Sequence, residues 1–445
     1  MNASHEFDAL LQQAKEVLDE NWKDGFTVPA QNQYPYQWSW DSAFITAGYA
    51  RYDRERAQRE LRSLFNAQWA DGRVPHIVFH NATPDASYFP GPDFWQTERN
   101  PFAPLSPRTS GIVQPPNHAT AVLHIVRCAE EDGEKAALGF AGEMFPKLRA
   151  WHDWLYRERD PRDEGVVYII HPWESGQDNS PLRDPVLARM DVPSAQFSGF
   201  RRRDTRAVAP EERPLDSDYD RYIFLVDFFR QRGYDERKIF GDGCPFLVQD
   251  VLFNTLLCRA EQDMAELARL LGEDHASFEA RALRTADAVN RKLWDGDRGY
   301  YADYDLASEK PIPMPALAGF SPLFARIPGE ERAETMLHRL FTPSFGLGAE
   351  QKGYPASSYD REAPEYSPRR YWRGPTWIHM NWLLMHGLRA YGRNDQAERL
   401  RRAIAELPAK GGFREYFNPE TGEGHGAHRF SWTAALLIDV LHERI

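Results

Sequence analysis

The chain has 445 residues, with 54 basic against 66 acidic side chains for a net charge of −12, and 42% of it is hydrophobic. That is a globular composition, and its acidic balance excludes a nucleic-acid partner, which would require a basic face. No apolar run approaches the ~20 residues of a membrane helix. The opening Met1-Asn2-Ala3-Ser4-His5-Glu6-Phe7-Asp8 has neither the basic nor the apolar region of a secretory signal, so a cytoplasmic location is expected.

Taken in chain order, Phe7, Leu10, Leu11, Ala14, Val17 and Leu18 fall at helical spacing. A second helix is predicted after Trp40-Asp41 and a third over residues 53–69. The pair Pro115-Pro116 opens a helix carrying Ala119, Val122, Leu123 and Val126, since proline is tolerated at a helix start. Further helices are predicted over 144–156, 218–230, 249–271, 278–294, 330–340, 377–391, 396–406 and 432–443. Strand patterns are short, at 166–170 and 300–305, and Ile77-Val78-Phe79 also looks like strand. A closed toroid of helix pairs is the economical way to bury so many amphipathic helices in one chain. No linker splits it, so one domain over 1–445 is expected. Residues 184–214 lack periodicity and form a predicted lid loop, because a long structureless stretch in a compact protein is usually functional or disordered. Its arginines, Arg201-Arg202-Arg203 and Arg206, read as a solvated face or an anion clamp.

Four aromatic-rich blocks interrupt the helices: residues 34–41 (YPYQWSWD), 171–181 (HPWESGQDNSP), 370–377 (RYWRGPTW) and 413–422 (FREYFNPETG). Each sets a charged or amide group beside rings just before or after a predicted helix. With 13 Trp, 19 Tyr and 26 Phe, the chain has the stacking surfaces a pyranose needs on its C–H faces, and the carboxylates and amides to read its hydroxyls. Glycoside hydrolysis needs two carboxyl groups, one donating a proton to the leaving oxygen and one activating water or attacking the anomeric carbon. A tryptophan-lined site would raise the pKa of the donor.

Plainer roles compete. Trp38 and Trp40 also fit an ordinary core, Asp41 could be only an N-cap, and Glu174 could be a salt-bridge partner. Glu420, in a Pro-Glu-Thr-Gly turn, reads as solvated. His76 and His80 have i,i+4 spacing but lack the metalloprotease Glu, and Gly422-Glu423-Gly424-His425-Gly426 lacks the strand-turn-helix context of a dinucleotide loop, so no metal and no cofactor is expected. Cys128, Cys244 and Cys258 are odd in number and widely spaced, which suits a reducing compartment. A helical toroid also serves epimerases and lyases, for which His76, His118 and His379 are candidate bases, and a non-enzymatic sugar-binding toroid is a third reading.

The four blocks, together with Trp69-Ala70-Asp71-Gly72-Arg73-Val74-Pro75-His76-Ile77, Tyr88-Phe89-Pro90-Gly91-Pro92, Thr109-Ser110-Gly111-Ile112-Val113-Gln114-Pro115-Pro116 and Asp218-Tyr219-Asp220-Arg221-Tyr222, resemble the bacterial glucosylglycerate and mannosylglycerate hydrolases of glycoside hydrolase family 63. The resemblance covers nearly the whole chain in the same order. It implies an all-α (α/α)6 toroid with a funnel-shaped pocket, acting as an inverting α-glycosidase on 2-O-α-D-glucosylglycerate, with mannosylglycerate beside it and other small α-glucosides as the alternative. By the same resemblance Asp178 matches the general acid and Glu415 the general base. Asp41, Gln114, Trp173, Trp372 and Trp377 match the sugar subsite, and Tyr88, Arg213 and Tyr219 the glycerate end. Tyr36, Trp40, Glu174, Gly176 and Tyr371, from the same blocks, complete the expected substrate contacts. A carboxylated aglycone requires a cation, and Arg213 fits that physically as well. The expected partner is a small anionic sugar, without nucleic acid or membrane; self-association is left open. The segment 189–206 departs from the family pattern and carries extra arginines.

Overall fold

The computed structural model describes residues 3–80, 88–133, 137–192, 202–206, 208–348 and 352–443. Twelve long α-helices carry the fold among them. They are α1 Ala3–Asn21, α2 Ser39–Tyr52, α3 Arg54–Asn66, α4 His118–Glu131, α5 Ala137–Arg159, α6 Asp216–Gln231, α7 Val251–Leu271, α8 Ala276–Lys292, α9 Glu330–Leu340, α10 Ile378–Ala390, α11 Asn394–Gly411 and α12 Ser431–His442.

Two kinds of helix alternate along the chain, and the pattern of apolar residues separates them. In α3 the buried positions are Ala57, Glu60, Leu61, Leu64 and Phe65, and in α9 they are Ala333, Met336, Leu337 and Leu340; each is one stripe at helical spacing, leaving the other face to water. By contrast α2 is buried continuously from Ser39 to Ala50, and α12 from Ser431 to Val440. A helix apolar all round must lie inside. The packing agrees: α2 lies against α4, α4 against α7, α7 against the 3-10 helix Leu317–Leu323, that helix against α10, α10 against α12, and α12 back against α2. The striped helices α1, α3, α5, α8, α9 and α11 cover this cycle from outside. The last contact is the tightest. A Cβ on Gly48 of α2 would lie 2.5 Å from the Ala435 Cα of α12, so only glycine permits the approach.

Short strands occupy the connections: β1 Gln37–Trp38, β2 Ile77–Phe79, β3 Arg108–Thr109, β4 Val248–Gln249, β5 Trp294–Asp295, β6 Tyr300–Tyr301, β7 Asp303–Asp305, β8 Lys310–Ile312, β9 Arg414–Phe417 and β10 Gly424–His428. The antiparallel sheet β1-β2-β3 pairs Trp38 with Ile77 and Val78 with Thr109, placing the first aromatic block beside α2. The β9–β10 hairpin pairs Tyr416 with His425 and is irregular between His425 and His428.

Several expectations are corrected. The segment 166–170 is extended but makes a single bridge, Ile169 to Val248. Its other amides are taken up elsewhere, Val167 N–H by Asn254 Oδ1 and Ile170 N–H by Glu174 Oε2, so no ladder can form. The expected strand 300–305 is two strands, broken where Ala302 N–H turns to the Leu293 carbonyl. Helix α5 runs over Ala137–Arg159, longer at both ends than the 144–156 expected, and passes through Pro146. Asp41 is not an N-cap: Trp38 holds that position and Asp41 lies in the first turn of α2. Within 184–214 there are short helical turns, Asp184–Leu187 and Pro210–Glu212, while residues 193–201, Arg201 among them, and 207 lie outside the described residues. No helix is long and apolar enough to cross a membrane among the described residues.

Candidate active site

The N-terminal ends of α2, α4, α10 and α12, with the loops before them, converge on a pocket of about 800 Å³, counted to its open mouth. The segment 171–181 builds its floor. His171 accepts the Trp173 N–H at Nδ1 (3.0 Å) and donates from Nε2 to the Tyr222 carbonyl (3.0 Å), capping the 3-10 turn Pro172–Ser175. Gly176 ends that turn at φ +70, with its Cα so close to the Trp40 ring that a Cβ would meet it at 2.5 Å. This turn aims Trp173 and Asp178 into the pocket.

Asp178 is half-buried, and its backbone carbonyl accepts the Tyr222 hydroxyl at 2.8 Å. Burial pushes its carboxyl up to about 7, and the charge of Glu415 adds to this while Arg213 opposes it. Glu415, on β9, is 1% exposed. It accepts the Tyr34 hydroxyl at Oε1 (2.7 Å) and the Ala427 N–H at Oε2 (3.0 Å). Those two bonds leave carboxylate lone pairs free, which a base requires.

Arg213 joins the parts. Its Nη2 donates to Tyr34 Oη at 2.7 Å and lies 3.8 Å from Glu415 Oε2, and its guanidinium sits 4.8 Å over the Tyr371 ring. The preceding Glu212 fixes this segment to the hairpin, accepting from His425 Nδ1 (2.9 Å) and Gly426 N–H (3.2 Å). Asp41 is buried on the same wall; desolvation, and then the charge of Glu415, hold its carboxyl well above the usual range. Gln114 accepts the Trp40 N–H at 3.2 Å, which orients its amide toward the cavity.

Of the residues singled out by sequence, Trp40, Asp41, Tyr88, Gln114, Trp173, Gly176, Asp178, Arg213, Tyr219, Tyr371 and Glu415 line this one pocket. Four do not. Tyr36 packs behind Trp38 and Tyr88. Glu174 is consumed by the fold: its carboxylate accepts two bonds from Arg159, at 2.8 Å each, and the amides of Val113 and Ile170. Trp372 and Trp377 stack on each other at 3.9 Å, and Trp377 meets Tyr371 edge-on at 5.1 Å, so they support the lining from behind. His118 and His379 are sealed in the core and pushed down by burial; of the three candidate histidine bases only His76 reaches the pocket. His80 stacks on Phe26 at 3.8 Å, and its Nε2 lies 3.0 Å from Gln37 Oε1.

Sequence reasoning passed over Tyr34, Tyr222, Asp204, Phe430 and Trp432, which also line the pocket. Tyr34 stands two residues before Tyr36 in the same block, and the chain bends at Tyr36 before β1 begins, so the two rings part ways. Asp204 arrives from the predicted lid, held by Arg202 through Nε (3.0 Å) and Nη2 (2.7 Å), with Arg202 itself 4.7 Å over Tyr219.

The family model described as "Mannosylglycerate hydrolase MGH1-like glycoside hydrolase domain" matches residues 34–433, a span that contains every pocket-lining residue named above. The chain belongs to this glycoside hydrolase family. It is 53% identical to a mannosylglycerate hydrolase of Rubrobacter radiotolerans, over 99% of this chain and 98% of that one. To a glucosylglycerate hydrolase of Mycolicibacterium hassiacum it is 34% identical, over 97% of each. The crystal structure of a family 63 mannosylglycerate hydrolase from Thermus thermophilus, in complex with Tris and D-glycerate, superposes with a TM-score of 0.88 at 44% identity, covering 97% of this chain and 99% of that one. As a member of this hydrolase family the protein is a glycosidase, and among the residues that line its pocket are the carboxyl groups of Asp41, Asp178, Asp204 and Glu415, where such chemistry needs two.

Proposed function

We propose that the protein hydrolyses 2-O-α-hexosyl glycerates, glucosylglycerate and mannosylglycerate, to the free hexose and glycerate with inversion at the anomeric carbon. The observation that carries this reading is the grouping of Asp178, Glu415 and Arg213 on one pocket. A substrate ending in a carboxylate would complete the pairing that Arg213 makes, among the described residues, with Tyr34 and, at longer range, Glu415.

In this mechanism the raised carboxyl of Asp178 protonates the glycosidic oxygen, and Glu415 takes a proton from the water that attacks the opposite face. The mechanism asks for carboxyl groups ~6.5–9.5 Å apart with room for that water. Asp41 and Gln114 hold ring hydroxyls, Trp173 and Trp40 supply the apolar wall, and Arg213, Tyr88 and Tyr219 hold the glycerate. Positioning supplies the rest of the acceleration. The helical cycle fits an (α/α)6 toroid whose N-terminal mouth is the funnel, with residues 202–206 as part of its rim. The three free cysteines are buried, and burial pushes the thiols of Cys244 and Cys258 up to about 12, in keeping with a cytoplasmic protein.

The deciding experiment follows both hexosylglycerates by proton NMR. β-Anomer should appear first. First release of the α-anomer would mean retention, and no release of glycerate would sink the substrate assignment. Asp178→Asn and Glu415→Gln should each abolish turnover while the far-UV spectrum is kept; substantial activity in either purified variant would remove that residue from its role.

A further inference from the structure

The sheet that carries Trp38 also delivers a group that the mechanism above leaves unused. His76 immediately precedes β2. Its N–H donates to the Ile112 carbonyl at 2.8 Å and its carbonyl accepts the Ser39 N–H at 3.0 Å, which fixes the residue between the start of α2 and the segment leading to Gln114. The imidazole is stacked against Trp173 (6.2 Å, 19°) and meets Trp38 edge-on (6.4 Å, 85°). It is 4% exposed, and that small exposure is to the pocket.

The two ring nitrogens differ. Nδ1 is sealed, with no hydrogen-bond partner among the described residues. A sealed N–H without an acceptor carries the full desolvation penalty of a donor, and buried orphan donors are rarer than under-used acceptors. The proton therefore belongs on Nε2, the nitrogen left to face the pocket. Burial, with the nearby His171 ring adding to it, keeps the imidazole neutral. The contrast with His171 is instructive: there both nitrogens are occupied by protein groups, and the ring has no capacity left for a ligand.

We propose that His76 is a specificity-determining residue that donates its Nε2–H to a hydroxyl of the bound hexose. Its neighbours place it at the sugar end of the pocket: it packs on Trp173 and is tied by its backbone to the start of α2, which bears Trp40 and Asp41. It is not a proton-transfer group, since a neutral donor held between two tryptophans has no acceptor for a proton of its own. The inference rests on reading this pocket as the sugar subsite.

Two variants separate the roles. His76→Phe keeps a flat ring against Trp173 and removes the donor, while His76→Gln keeps a donor and gives up the ring. Calorimetric titration with free glucose and free mannose should show His76→Phe binding at least one of them about 10- to 100-fold more weakly than the parent, with a matching rise in KM on the hexosylglycerates. His76→Gln should recover a clear part of that loss. Among hexosylglycerates lacking one ring hydroxyl, the penalty the parent shows at one position should vanish in His76→Phe. Each of four results would overturn the proposal: undiminished hexose affinity in His76→Phe, no recovery in His76→Gln, loss of a limb of the pH–rate profile, or a parent protein that binds no free hexose. Because the titration uses hexose alone, a protein that binds hexose but leaves hexosylglycerates uncleaved would refute the substrate assignment and leave His76 in place.

Discussion

Asp178 sets the pH behaviour of the site. Its carboxyl is raised to about 7 chiefly by burial, against an ordinary value near 4. In the proposed role of acid it must carry its proton, so kcat/KM should fall about tenfold per pH unit once the pH exceeds roughly 8. The same shift bears on stability. The folded protein holds this proton more tightly than the unfolded chain, so folding loses free energy as pH rises from about 4 to about 7, and the penalty is constant above that. Asp178→Asn should therefore melt higher than the parent, by a margin that is near zero at pH 4, grows to neutrality and then levels off, of order 1–3 kcal/mol. A margin independent of pH would show that burial of this carboxyl is not its source. Arg213 acts on binding. Arg213→Gln should raise KM for hexosylglycerates roughly 10- to 100-fold, the worth of one charge-assisted hydrogen bond, and should leave the affinity for free hexose nearly unchanged.

The elements that place these residues do so through buried ion pairs as much as through apolar packing. The Pro172–Ser175 turn is held from below by Glu174, whose four accepted bonds tie it to Arg159, Val113 and Ile170. Arg159 is also paired with Glu236 at 2.8 Å and is fully buried. Removing one partner leaves an uncompensated charge in a dry interior. Glu174→Ala should cost about 3–5 kcal/mol by denaturant unfolding, with activity lost through displacement of Trp173 and Asp178. A loss of activity with unchanged stability would instead return Glu174 to direct substrate contact. This is where sequence reading had least purchase. Trp-Glu-Ser-Gly announces a loop with a carboxylate, but nothing in the order of residues says whether the acid faces the pocket or an arginine fifteen positions earlier. Tyr34 and Tyr36 pose the same difficulty just before β1, where a bend lies between two tyrosines only two residues apart. Asp178 and Glu415 stand out in the sequence because glycoside hydrolysis demands two carboxyl groups and each lies in an aromatic block, whereas Arg213 lies outside those blocks and is singled out by the family resemblance and by the cation that a carboxylated aglycone requires; the structure brings all three to one pocket.

At the scale of the molecule, the alternation of striped and all-apolar helices is written in the hydrophobic spacing, and the helix count could be read from it closely. Closure could not. The cycle of inner elements includes the short 3-10 helix Leu317–Leu323, which has Pro322 and no helical stripe to announce it. The wall-forming tryptophans were likewise recognised as important without their depth being evident: Trp372, held at φ 59, and Trp377 form a stacked pair one layer behind the lining. A sequence gives residue types at a site, whereas the layer each occupies is decided by neighbours hundreds of positions away.

The tight contact between Gly48 and Ala435 has a consequence for how the protein comes into being. Helix α2 meets α12 from a distant part of the chain, and Glu415 and the aromatic wall at 430–432 arrive with that contact. A chain still emerging from the ribosome can pack α2 against α3 and α4, yet the face that bears Gly48 stays uncovered until α12 is made. The pocket is thus complete only once α12 has been made, and until then a nascent chain exposes one apolar face of α2, the kind of surface that chaperones bind.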